Sequence, residues 1–206
     1  MSIPQSRLTI FSMAILLTLF SGCGTTRPSR FYTLNPLQTL ESAKQVALPG
    51  PPISIGIAPV EIPDYLDRPQ IVRRTDKSEL FIDEFDRWAG SLDDDIARVL
   101  SENLSILLSQ EHVLILTGGG AAPVEHRIVV KVSRFDLMPD DTALLKSQWT
   151  VFGKDGRIIL IRESNFSEHI DGVDYGARIA AMSRAIEMLS RDIAEAMKPL
   201  IKAEKN

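Results

Sequence analysis

The sequence predicts an α+β fold: a mostly antiparallel sheet with two long amphipathic helices packed on one face. Three observations carry this. Leu92 to Ser109 repeats apolar residues at the helical period, Tyr175 to Met197 does the same, and residues 127–167 between them read as three alternating strands. Helices with one apolar stripe and strands with one apolar face are satisfied together when both helices lie on the same side of the sheet. The other sheet face is then left to water or to a partner.

The opening residues stand apart from this pattern. Arg7 is followed by the uncharged apolar run Leu8 to Phe20, the order of a secretory signal peptide. A bilayer-spanning helix needs roughly 20 apolar residues, and this run breaks at Ser21-Gly22 before the polar stretch Thr25-Thr26-Arg27-Pro28-Ser29-Arg30. Leu19-Phe20-Ser21-Gly22-Cys23 has the form of a lipobox, with Phe20 where Leu, Val or Ile is usual. The expectation is cleavage before Cys23 and acylation of its sulfur, with palmitate among the attached chains. An ordinary signal peptide with a chance cysteine at the junction is the alternative. Cys23 is the only cysteine, so no intramolecular disulfide can form, and an exported free thiol would be open to oxidation. One acyl chain anchors marginally, whereas two or three hold firmly. The chain is therefore divided into a signal peptide (1–22), a lipidated tether (23–30) and a single domain (31–206).

Phe31-Tyr32-Thr33-Leu34 reads as the first strand, and Leu48-Pro49-Gly50-Pro51-Pro52 punctuates the approach to a second at 53–57, where Ile53, Ile55 and Ile57 share a face. Tyr65 to Gln70 reads as a short helical turn, followed by strands at Ile71-Val72-Arg73-Arg74 and Leu80-Phe81-Ile82. In the first helix Leu92, Ile96, Val99, Leu100, Leu104 and Leu107 form the apolar stripe, with Asn103 among them. Ser91 and Asp94 have the spacing of a capping box, and Asp93, Asp94 and Asp95 sit where the helix dipole favours carboxylates, which explains three adjacent acids without a cation. His112 to Leu116 is the next strand, and 117–123 a glycine-rich turn. Strands at 127–135, 143–152 and 157–167 follow, the last two joined by the hairpin signal Gly153-Lys154-Asp155-Gly156. Asp174 is the expected N-cap of the closing helix, which is expected to run to about Met197, with Pro199 near its end.

Net charge is −4 with acids and bases interspersed, which argues against a nucleic-acid partner. Groups that could carry catalysis are sparse. His112, His126 and His169 are widely spaced, each at an expected strand edge or turn, without the spacing of a zinc site. Gly118-Gly119-Gly120 lacks the continuation of a phosphate loop, no Gly-x-Ser-x-Gly elbow occurs, and an acylated Cys23 is no nucleophile. Carboxylate pairs such as Asp83/Glu84 and Asp140/Asp141 have surface solvation as their default explanation. The expectation is a protein that is not an enzyme and holds no metal or cofactor.

Pro63 to Arg74, Phe85-Asp86-Arg87-Trp88-Ala89-Gly90-Ser91-Leu92 and Ala97 to Leu104 resemble the ABC-type transport auxiliary lipoproteins of the PqiC (YmbA) type. Ser29 to Leu34 is similar to that family's first strand and Tyr175 to Ala194 to its terminal helix. Gly90-Ser91 departs from the family's acid and proline. The resemblance implies a periplasm-facing lipoprotein, lipid-anchored to the outer membrane, that works with an MCE-domain (PqiB-like) protein and inner-membrane transporter components in moving lipid between membranes. It also leaves a homo-oligomeric ring open. Gly24 after the cysteine agrees with outer-membrane sorting as enteric bacteria practise it. Tyr65, Leu66, Asp67, Arg68 and Gln70 are the candidate partner-binding residues, since an Arg beside aromatic and Leu side chains in a Pro-bounded loop has interface composition. The bland reading is that Asp67 and Arg68 pair locally while Tyr65 and Leu66 close the core edge. A docking component competes with two other roles: a module that carries lipid in a cavity, and a lipoprotein that assists assembly of an outer-membrane complex.

Overall fold

In a computed structural model of the chain, residues 27–38, 50–118 and 123–205 are described. The expected signal peptide, Cys23, Gly24, Leu48-Pro49 and residues 119–122 of the glycine-rich turn lie outside them. Alternation produces the longest strands: β6 (His126–Leu137), β7 (Thr142–Gly153) and β8 (Ile158–His169) form an antiparallel meander. Ile128, Val130 and Val132 are all buried on its inner face, with Leu145, Trp149 and Val151. At the β7–β8 hairpin Gly156 holds φ +77°, a conformation that side chains on an L residue disfavour.

The other edge of β6 is shared by two strands. β2 (Ile53–Ile57) pairs with its start and β3 (Gln70–Arg74) with its end, both parallel. Between them Ala58 N donates to Ile128 O, Glu61 N to Val130 O and Val132 N to Glu61 O. Residues 53–74 thus pass once along β6 and leave it only where 62–69 loop out. β5 (Val113–Thr117) extends the sheet beside β2, while β4 (Leu80–Trp88) and then β1 (Arg30–Tyr32) extend it beside β3. β4 is much longer than Leu80-Phe81-Ile82. Its register with β3 slips between Val72–Ile82 and Gln70–Arg87, where Asp83 Oδ1 accepts from the amides of Phe85 and Asp86 and interrupts the alternation.

The eight strands described form a mixed sheet, not the mostly antiparallel one expected. β1–β4, β2–β5, β2–β6 and β3–β6 are parallel, against antiparallel β3–β4, β6–β7 and β7–β8. Parallel neighbours need a crossover of a dozen or more residues, so they join segments remote in sequence and no local turn announces them.

Both helices lie on one face, as expected. α1 (Leu92–Leu107) packs on β5 and against α2 (Tyr175–Glu204), which covers β7 and β8. Asp174 caps α2, its side chain accepting from Ala177 N at 2.8 Å. Ser91 sits at the N-cap of α1, but its hydroxyl donates to Asp94 Oδ2 and does not accept from a backbone amide. α2 continues past Met197 and through Pro199, because Met197 and Ile201 are fully buried on its stripe while Pro199 faces outward. That packing outweighs the hydrogen bond a proline cannot donate.

Candidate functional site

The candidate partner-binding residues lie in the loop that leaves β6 between β2 and β3. Leu66 N donates to Pro63 O, Asp67 N to Asp64 O and Arg68 N to Leu66 O, a run of tight turns. Gln70 already belongs to β3. The structure divides the five residues. Leu66 is 3% exposed and lies in the core, and Tyr65 turns its hydroxyl inward to donate to Asp136 Oδ1 at 2.8 Å. Asp67 is exposed, and Arg68 and Gln70 are half-buried; Arg68 Nε makes no hydrogen bond. Of the five, therefore, Asp67, Arg68 and Gln70 contribute surface, beside the exposed Asp64 and Pro69 of the same loop.

Asp136, 1% exposed on β6, is the reason the loop is fixed. Its second oxygen accepts from Arg74 Nε at 3.0 Å and Arg134 Nε at 2.8 Å. Burial, and then the hydrogen bond to Asp136, push the Tyr65 phenol up to about 12, so it remains a donor at any physiological pH.

A second polar cluster holds the start of the domain. Arg30, at the last position of the expected tether, donates from Nε and Nη2 to the two oxygens of the buried Asp86. Tyr32 Oη donates to the same carboxylate at 2.8 Å, and its ring lies 5.7 Å from that of Tyr175. Tyr175 Oη in turn donates to Asp83 Oδ2 at 2.6 Å. Burial opposes ionisation of Asp83, but the hydrogen bonds from Tyr175 and from the Phe85 and Asp86 amides outweigh it and hold the carboxyl below its ordinary range. Asp83 is therefore no merely solvated acid.

Downstream of β1 the chain becomes a strap laid over the two helices. Leu34 N donates to Asp95 Oδ2 at 2.6 Å and Asn35 N to Ser183 Oγ at 3.0 Å; Leu37 N donates to Asn103 Oδ1 at 2.7 Å. Arg98 Nη2 returns a bond to Leu34 O, and Asn103 Nδ2 donates to Ser190 Oγ across the helix pair. Asp95, read from sequence as a dipole partner, serves the strap instead. Polar residues inside the apolar stripes, Asn103, Ser183 and Ser190, were the available signal for it.

The histidines stay apart. His112 Nε2 lies 2.9 Å from Gly50 O, and His169 is exposed. His126 corrects the expectation of a surface or strand-edge residue: it opens β6 between β2 and β7, is 2% exposed, and neither ring nitrogen has a hydrogen-bond partner. Burial holds its pKa below the ordinary value against the opposing pull of Glu204 and Glu125. Asp140 accepts from Thr142 Oγ1, and Asp141 adopts φ +55° in the turn before β7. Among the described residues no group of three or more His, Cys, Asp or Glu is placed to hold a metal ion, and no helix is long and apolar enough to cross a membrane.

The sheet face away from the helices carries a polar depression of about 570 Å³, lined among others by Lys131, Ser133, Lys146, Gln148, Glu163 and Asn165.

With these features in place, comparison with known proteins decides the family. The family of ABC-type transport auxiliary lipoprotein components matches residues 32–194. The chain belongs to that family. No curated protein matches it at a significant level. Among solved structures, an uncharacterized protein is similar at 17% identity and TM-score 0.69, covering 84% of this chain and 100% of that one. Protein XCC0632 from Xanthomonas campestris is similar at 16% identity and TM-score 0.66, covering 86% and 98%. These likenesses concern the fold. Members of the transport auxiliary family are lipoproteins of the cell envelope, and the matched span runs from Tyr32 in β1 into α2, so it includes both the 62–69 loop and the strap.

Proposed function

We propose that this auxiliary lipoprotein is acylated at Cys23, is anchored to the outer membrane facing the periplasm, and acts as a non-enzymatic docking component of an MCE-type intermembrane lipid transport system. Membership of the transport auxiliary family is the observation that carries this reading. Three features support it. The lipobox-like Leu19-Phe20-Ser21-Gly22-Cys23 lies only a few residues before the domain. The space between sheet and helices is occupied by apolar side chains, Trp149, Leu145, Ile96, Leu100, Ile186 and Ile193 among them, which favours a docking body over a lipid carrier. The 62–69 loop is tied from beneath through Tyr65 while Asp67 and Arg68 in it, and Gln70 at the start of β3, reach the surface, and pre-organised groups lose little freedom on binding. An MCE-domain (PqiB-like) protein, with its inner-membrane components, is the proposed partner, and self-association into a ring is compatible with this role.

Photocrosslinking from positions 67, 68 and 70 of the full-length protein in cells tests the proposal. The expected product is an adduct with an MCE-domain protein that disappears when the crosslinker is moved to buried Leu66. Absence of any such adduct, with the protein acylated and abundant, would remove the docking role.

A further inference from the structure

The place where the chain leaves the fold indicates which end of the molecule meets the lipid. β1 runs parallel to β4 and covers only Asp86 to Trp88, so going upstream from Arg30 the chain points along β4 towards Ile82 and Phe81. Seven residue steps separate Cys23 from Arg30. At about 3.6 Å per residue they reach no further than about 25 Å. The opposite end of the sheet, at the β7–β8 hairpin, is separated from the β3–β4 end by the length of β7, about 37 Å at 3.4 Å per residue. An anchor on Cys23 therefore keeps the β1–β4 end near the bilayer.

That end exposes apolar side chains, as does the start of β8, where Ile158, Ile159 and Ile161 are also exposed. Phe31 is 63% exposed, Phe81 44%, Ile82 43% and Val173, just before α2, 90%. Cations accompany them in a particular way: the Arg73 guanidinium sits 4.6 Å over the Phe81 ring, and that of Arg178 4.9 Å over the Tyr175 ring. The exposed Phe81 ring with Arg73 folded over it suits the headgroup layer, where such a ring contacts acyl chains and the guanidinium stays with phosphate and water; Tyr175 is itself buried and serves to hold Arg178 at this end. Of the two apolar groups, the one on β1, β4 and Val173 is within reach of a short tether from Arg30, whereas the isoleucines of β8 lie at the far end of the sheet.

We propose that the β1–β4 edge, with Phe31, Phe81, Ile82 and Val173, rests in the headgroup region of the membrane that holds the acylated Cys23. This orientation rests on the acylation read above. It turns the β7–β8 hairpin away from the bilayer.

The test uses the full mature lipoprotein in vesicles of phosphatidylethanolamine and phosphatidylglycerol. Nitroxide labels are placed on F81C, V173C and, as the distal control, K154C, all at exposed positions. Collisions with dissolved oxygen and with a water-soluble nickel chelate report depth, and the mass of the N-terminal peptide reports acylation. The expected result is nickel accessibility several-fold lower at 81 and 173 than at 154, with oxygen accessibility higher. Equal nickel accessibility at all three sites in acylated, vesicle-bound protein would overturn the orientation while leaving the anchor intact. An unmodified Cys23 would overturn the anchored reading and this orientation with it.

Discussion

Replacing Asp136 by Ala distinguishes a loop built for folding from one built for docking. Its carboxylate is 1% exposed and accepts from Tyr65, Arg74 and Arg134, and the side chain of Arg74 is itself only 14% exposed. Removing one partner of a buried ion pair leaves the other charge unpaired, at a cost of about 3–5 kcal/mol. Tyr65→Phe removes a single bond to a charged acceptor and leaves both arginines in place, which costs about 1.5–3 kcal/mol. For a domain of this size each kcal/mol lowers Tm by about 2–4 °C, so Asp136→Ala should lose roughly 6–20 °C and Tyr65→Phe about 3–12 °C. Residues sharing one network do not add: in the Tyr65→Phe background Asp136→Ala should cost less than alone, by about 1 kcal/mol or more. Urea titration of the four proteins of this cycle, followed by circular dichroism at neutral pH, gives each value. Additive losses, or an Asp136→Ala loss below about 1 kcal/mol, would refute the claim that this carboxylate fixes the loop. The Tyr65 phenol adds a pH signature. Its pKa is raised in the fold to about 12 from an ordinary 10, so its contribution is complete below pH 10 and is lost as pH rises from 10 towards 12. Tyr175 is raised as well, so the signature is the part of the alkaline loss that Tyr65→Phe abolishes.

Asn103→Leu removes the acceptor of Leu37 N and the donor to Ser190 in a fully buried site, and should destabilise the protein by about 2–5 kcal/mol in denaturant titration while speeding amide exchange at Leu37. His126 has a lowered pKa in the fold, so stability should be complete above about pH 6.5, its ordinary pKa, and should fall as acid takes the pH below that value; His126→Leu should flatten this limb of a Tm–pH profile, and an unchanged limb would mean the ring is not neutral and buried. Pro199→Ala restores an amide to α2 between two buried turns and should raise stability by up to about 3 kcal/mol, read as a higher urea midpoint. Cys23→Ser should abolish incorporation of labelled palmitate and release the protein from the membrane fraction, and retention at the membrane would sink the anchored reading.

The elements legible from sequence are those whose specification is local. The meander of β6 to β8 carries its own alternation and hairpin glycines, and both helices carry a 3.6-residue stripe, one with Asp174 as an aspartate cap that the structure reproduces. What escaped was set by remote partners. The parallel pairing of β2 with β5 and β6 depends on an intervening helix, and the continuation of β4 past Ile82 is hidden by the Asp83 irregularity. His126 is buried by strands on both sides, and α2 survives Pro199 because Ile201 has a place in the core. At the candidate loop the composition of Tyr65 to Gln70 was visible, but its inward half was not: the hydroxyl of Tyr65 is drawn down by an aspartate 71 residues away. The strap could have been suspected from Asn103, Ser183 and Ser190, polar side chains where the helical stripes call for apolar ones.

That strap has a mechanical consequence. Tied through Cys23 to one membrane and docked to machinery reaching from another, as proposed above, the protein would bear tension through its N-terminal segment. Here the load enters at Arg30 and passes first to Asp86 and then through residues 34–37 into both helices at once. Parallel pairing of β1 with β4 means that a pull on the N-terminus drags the strand lengthwise past its neighbour, so its hydrogen bonds are strained together in shear and do not peel away one at a time. Beyond β1 the load is shared between Asp95 and Asn103 on α1 and Ser183 on α2, so freeing the strap requires breaking contacts to both helices.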